Sequence, residues 1–89
     1  MIKNYMEIVV DILLPKVLIH HPNICTCQNC MDDVKALALN HMQPLYVRTK
    51  RGEAFNKVKS LSKQFEADVL KELTTAVTIV SSNPKHDEE

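Results

Sequence analysis

Between Ile2 and Leu14 the polar side chains Lys3, Asn4, Glu7 and Asp11 recur every three or four positions, and everything between them is apolar. At 3.6 residues per turn that spacing draws one narrow polar stripe along a helix over 2–14. The rest of its circumference, from Ile2 and Tyr5 through Val9 and Val10 to Leu14, is apolar, so the helix should be buried on several sides. Pro15 either interrupts it or begins a second helix carrying Val17, Leu18 and Ile19.

His20-His21-Pro22-Asn23 reads as a turn, because a proline biases the residue before it away from helical backbone. A second helix is expected from about Gln28 to Leu39, with Thr26 or Asn29 as its cap and Met31, Val34, Leu37 and Ala38 facing inward. Asn40, tolerant of left-handed backbone, should end it, and Gln43-Pro44 marks the stop. Leu45-Tyr46-Val47-Arg48 is rich in β-formers and reads as an isolated strand or an edge pair. The longest pattern runs from Gly52 to Ser81. There Phe55, Val58, Leu61, Phe65, Val69, Leu73, Ala76, Val77 and Val80 recur at helical steps, with Thr49 as a candidate cap. Lys57, Lys59, Lys63, Glu66, Asp68, Lys71 and Glu72 supply its solvated face. Ser81-Ser82-Asn83-Pro84 closes it.

These elements predict an all-α fold. It is a small bundle of four or so helices with one long C-terminal helix, in a single domain over 1–81, followed by a loose tail over 82–89. A straight 30-residue helix is about 45 Å long, whereas a compact chain of this size is about 32 Å across. The overhang would leave an apolar stripe wet, and a two-fold homodimer through the first and last helices would cover it. A kink near Ser60-Leu61-Ser62 would shorten the helix instead.

Composition narrows the function. With 89 residues the core is small, and such scaffolds commonly add a metal, disulfides or a second subunit. Eleven basic and eleven acidic side chains give zero formal charge, which disfavours direct DNA binding by counterion release. A single glycine rules out a glycine-rich phosphate loop and argues against a many-turned β-sandwich. The apolar run from Ile8 to Ile19 contains Asp11, Pro15 and Lys16 and cannot span a bilayer. Glu7 and Asp11 break any signal-peptide core, so the expected compartment is the cytoplasm.

All three cysteines, Cys25, Cys27 and Cys30, fall within six residues at C-x-C-x-x-C spacing. An odd count beside Gln28 and Asn29 suits neither a disulfide framework nor core filling. Thiolates converging on one centre suit zinc, whose structural sites take four ligands; a redox-active or merely packed set of thiols is the alternative. The fourth ligand is not fixed: His20, His21, Asp32, Asp33, His41 and a second subunit are candidates, with His41 poorly placed because it lies about 16 Å along a continuous helix from Cys30. No catalytic constellation is present, and a thiolate-rich site without a general base in the motif reads as structural. The best anion-binding candidate is Tyr46 with Arg48, Lys50 and Arg51, where arginine can fork onto phosphate and tyrosine can stack on a base. A solvated basic turn is the plainer reading of the same residues.

The cysteine motif is followed at once by Met31-Asp32-Asp33-Val34-Lys35-Ala36-Leu37-Ala38-Leu39-Asn40 and then by Pro44-Leu45-Tyr46-Val47. With the opening Asn4-Tyr5-Met6-Glu7 and Arg51-Gly52-Glu53-Ala54, this combination resembles the late competence development protein ComFB family over roughly residues 1–80. The resemblance implies a small helical bacterial homodimer with zinc at the cysteines. It also implies a link to the competence operon and, for some members, reception of cyclic dinucleotides, cyclic di-GMP in particular. The expected activity is therefore non-enzymatic: a receptor or signalling adaptor with a competence or signalling protein as partner. A structural adaptor of the DNA-uptake machinery with no nucleotide ligand is the other expectation.

Overall fold

Asn4 organises the start of the chain. In the computed structural model, which describes residues 2–48 and 62–82, its backbone is extended and its side-chain oxygen accepts from the Met6 N–H at 3.1 Å. That satisfies one of the orphan donors of the first helix, α1, Tyr5–Leu18. The same oxygen accepts from the Leu45 N–H at 3.0 Å, and the Tyr5 N–H donates to the Leu45 carbonyl at 2.7 Å. A cap and a long-range brace are thus one side chain.

The brace aligns two short strands, β1 (Ile2–Asn4) and β2 (Tyr46–Arg48). They pair antiparallel with Ile2 opposite Arg48, Lys3 opposite Val47 and Asn4 opposite Tyr46. Residues 2–4 therefore do not continue the helix as their polar stripe predicted. Their backbone groups are satisfied across the ribbon, by partners more than forty positions away in the sequence. The extended reading of 46–48 as an edge pair holds.

Pro15 neither stops α1 nor starts a new helix; α1 runs through it to Leu18. Its carbonyl still accepts the Ile19 N–H at 3.3 Å. The second helix, α2, spans Gln28–Asn40, and its cap is Cys27 rather than Thr26 or Asn29. Asn40 stays helical, and α2 ends at His41 with φ −103°. No described residue adopts positive φ, so the expected left-handed stop is not used. Instead the His41 and Met42 N–H groups bond to the carbonyls of Ala38 and Leu39 at 3.0 and 3.3 Å.

The last helix, α3, is Lys63–Ser82. Ser62 caps it: its hydroxyl accepts from the Phe65 N–H at 3.1 Å, and its carbonyl accepts the Glu66 N–H at 3.0 Å. The helix expected across 52–81 therefore starts at Lys63 within the described residues, next to the 60–62 stretch where a kink was the alternative. Thr49, Phe55, Val58 and Leu61, assigned to that longer helix, lie outside the described residues, as does the tail beyond Ser82. Among the described residues the architecture is three helices with a two-stranded ribbon, and the ribbon is an addition to the all-α expectation.

α1 lies at the centre of the core, against both α2 and α3, and α2 also packs along α3. Ile8, Val9, Val10, Leu13, Leu14 and Val17 of α1 meet Val34 and Ala38 of α2 and Val69, Leu73, Ala76 and Val77 of α3. The broad apolar surface of α1 is thereby covered within one chain. At twenty residues α3 is about 30 Å long, within the 36 Å long axis of the molecule. The overhang that argued for a dimer does not arise from it. Two surface ion pairs, Lys16–Glu66 at 3.3 Å and Lys35–Asp11 at 3.0 Å, tie α1 to its neighbours. No described helix is long and apolar enough to cross a membrane.

Candidate metal centre

The cysteine site grows out of the turn that follows α1. The His20 and His21 N–H groups bond back to the Val17 and Leu18 carbonyls at 3.0 Å each, and the Ile24 N–H reaches the His21 carbonyl at 3.4 Å. Ile24 packs on the edge of the core and anchors the segment that delivers Cys25. Cys27 then takes the extended conformation of a cap, φ −65° and ψ 162°, and its sulfur accepts from the Cys30 N–H at 3.5 Å. A cap side chain naturally lies over the third helical residue, so the x-x spacing places Cys27 beside Cys30. The Sγ atoms of Cys25, Cys27 and Cys30 all lie within 4.8 Å of one another.

That spacing fits a thiolate-bound cation. Zinc–sulfur bonds of about 2.3 Å at tetrahedral angles put sulfurs about 3.8 Å apart, which needs only a small inward movement. Cys25 and Cys27 are exposed, while Cys30 is buried at the base of the site. The Cys30 N–H, followed by the Cys25 thiol, lowers the Cys27 pKa by hydrogen bonding to its sulfur. Burial, reinforced by the two neighbouring sulfurs, pushes Cys30 up to about 12. Without a cation the cluster therefore keeps a proton on Cys30; a soft cation would displace it and neutralise the crowding of thiolates.

The candidate fourth ligands do not join this cluster. Asp32 accepts a hydrogen bond from the Gln28 side-chain amide, and both Asp32 and Asp33 are exposed. His20 and His21 line a surface cavity with Lys16, Val17, Leu70 and Thr74. His41 is bonded through Nδ1 to the Leu37 carbonyl at 2.8 Å and lies beyond the far end of α2. Among the described residues the three cysteines alone converge as a group of three or more such donors. Behind them is a cavity of about 260 Å3, which Cys25 and Cys30 share with Ile24, Met31, Val80 and Ser81. No periodicity in the sequence signalled this cavity, because it forms where the loop meets the end of α3.

The anion-binding candidates divide differently. Opposed pairs and alternate residues of a ribbon share a face, so Ile2, Asn4, Tyr46 and Arg48 lie on one side and Lys3 and Val47 on the other. Val47 packs on the core, which turns Tyr46 and Arg48 outward; Tyr46 is 63% exposed. Lys50 and Arg51, the other two members of that candidate site, lie outside the described residues.

Comparison with known proteins is consistent with this geometry. Residues 3–84 match the family described as late competence development protein ComFB. The chain belongs to the ComFB family. The competence protein ComFB of Bacillus subtilis (strain 168) is 36% identical over 84 residues, covering 94% of this chain and 86% of that relative. A solved structure, reported as a structural characterisation of the late competence protein ComFB from Bacillus subtilis, superposes with a TM-score of 0.83. It is 34% identical, with all of both chains covered. The cysteine turn, β2, all three helices and β1 from Lys3 onward fall within the matched span.

Proposed function

We propose that this ComFB-family chain is a non-enzymatic, zinc-stapled module that serves competence by binding. In this reading the outer face of its ribbon receives a cyclic dinucleotide such as cyclic di-GMP. The observation that carries the ligand is the placement of Tyr46 and Arg48 on one exposed face of β1–β2, an aromatic plane beside a guanidinium. A guanine base can stack on the one while phosphate or a base edge is forked by the other. Zinc is held by Cys25, Cys27 and Cys30 and fixes the loop after α1 against α2. A two-fold homodimer would present two such faces to a two-fold ligand. Ile2, Leu45 and Tyr46, exposed together near the ribbon, are the apolar surface that such an association could cover. Calorimetric titration of the pure protein with cyclic di-GMP and cyclic di-AMP tests the ligand. Heat of binding that Tyr46→Ala and Arg48→Ala both weaken supports it, and no heat for either dinucleotide at micromolar protein rules it out.

The same exposed Ile2, Leu45 and Tyr46 favour a second reading, an adaptor that docks a competence protein without any nucleotide. Pull-down of competence proteins by wild-type chain, lost with Tyr46→Ala while no dinucleotide binds, would select it.

A further inference from the structure

At the opposite end of α2 from the cysteines, a cavity of about 260 Å3 lies where the start of α1, the exit of α2 and the first half of α3 meet. Met6, Met42, Phe65 and Val69 give it an apolar floor. Phe65, Asp68, Val69 and Glu72 follow one another at helical steps, so α3 turns an aromatic ring and two carboxylates to the same side. Glu72 is half-buried, yet among the described residues it makes no hydrogen bond or ion pair. Asp68 accepts from the Gln64 side-chain amide through Oδ1 at 2.9 Å, which leaves its other oxygen open. His41 lines the cavity as well. The Leu37 carbonyl can only accept, so the 2.8 Å contact puts a proton on His41 Nδ1 and leaves Nε2 of the neutral ring an acceptor. No lysine or arginine among the described residues lines the cavity. It is an apolar floor beneath acceptors, with a half-buried negative charge that no described cation offsets.

We propose that this cavity docks an arginine side chain of a partner protein. The floor suits the methylene stem. The planar guanidinium can lie against Phe65 and fork onto the carboxylates of Glu72 and Asp68, which the point charge of a lysine does not do. The volume falls below the roughly 300–1,000 Å3 of pockets that enclose a drug-sized ligand, so it takes one side chain and not a whole nucleotide. Free arginine brings a carboxylate of its own, which Asp68 and Glu72 repel; an arginine within a peptide does not. Tyr46, Arg48 and the cysteines are not among the lining residues, so failure of this docking leaves the readings of the ribbon and the metal centre standing.

The test is methyl NMR of the full-length protein labelled at its methionines, titrated with N-acetylarginine N-methylamide and with its citrulline counterpart, which keeps the shape and lacks the charge. The arginine probe should shift the Met6 and Met42 methyls saturably at about millimolar concentration. Met31, which lines the separate cavity beside the cysteines, should stay still. Glu72→Gln, close to isosteric, should weaken binding about tenfold or more through loss of a charge-assisted bond. Asp68→Asn should weaken it less, because Asp68 is exposed. No saturable shift, equal shifts with the citrulline probe, or unchanged affinity in Glu72→Gln overturns the proposal. Tighter binding of free arginine than of the capped probe would assign the cavity to an amino acid. A dimer lost in sedimentation of Glu72→Gln, with no arginine response in wild type, would assign it to a second copy of the chain. Either result also overturns docking of a partner protein.

Discussion

The cysteine turn and the ribbon are built on opposite principles. Every thiol of the turn comes from one six-residue stretch, positioned by a single helix start at Cys27. The ribbon joins residues 2–4 to 46–48 and depends on Asn4, whose one side-chain oxygen serves both the Met6 and Leu45 N–H groups. The turn can therefore be damaged chemically with its backbone intact, while the ribbon can be damaged by one hydrogen-bonding group without touching any candidate ligand. Local and non-local sites fail differently.

The largest effect is expected where both depend on the same support. Leu73 of α3 is fully buried in the core it shares with α1 and α2, and Leu73→Asp places an unpaired charge there at a cost of several kcal/mol. A domain of this length has only about 4–13 kcal/mol in hand. Circular dichroism should show an unfolded or aggregated chain, and a folded variant would mean the shared core is more forgiving than its packing implies.

Cys30→Ser comes next and separates the regions. It should abolish zinc binding and remove the fall in Tm that a chelator produces in wild type, because metal-binding free energy in such sites is folding free energy. The ribbon's amide signals should stay in place. The proton on Cys30 adds a pH signature: with its thiol pushed up to about 12, metal uptake near neutrality must expel that proton. Apparent zinc affinity should rise about tenfold per pH unit for each proton displaced, and a flat profile would show that Cys30 is not a ligand.

Asn4→Ala reverses the pattern. Losing the cap and the brace together should cost about 1–2 kcal/mol and fray the ribbon, seen as faster amide exchange at Leu45 and Met6, with zinc affinity unchanged. A parallel loss of metal would show that the two regions are coupled through α1. Smallest of all, Lys16→Ala removes a half-exposed ion pair to Glu66 and should change stability by less than about 1 kcal/mol in thermal or urea unfolding.

The same contrast explains what could be read without coordinates. The C-x-C-x-x-C spacing announced a convergent donor set because a helix start converts that spacing directly into proximity, although Thr26 or Asn29, ordinary capping residues, drew the cap away from Cys27. The inward faces of α2 and α3 followed from helical periodicity, with Val34, Ala38, Val69, Leu73 and Val77 all buried. Residues 2–4 were misread since their polar stripe suits a helix, and only β2, far along the chain, supplies the competing hydrogen bonds. The helix expected from Gly52 does not run through Ser62, because apolar spacing persists through a position whose hydroxyl and carbonyl instead cap the helix that follows. Tyr46 and Arg48 were grouped by their closeness in sequence, whereas their shared outward face is set by Val47 docking on the core, a tertiary fact.

The most direct test of the account is the metal content of the full-length protein, purified without an affinity metal and measured by elemental analysis alongside a Cys25, Cys27 and Cys30 triple serine variant. The account predicts about one zinc per chain in wild type and none in the variant. Wild type without zinc, or a variant that keeps it, would contradict the claim that these three thiols form the metal centre.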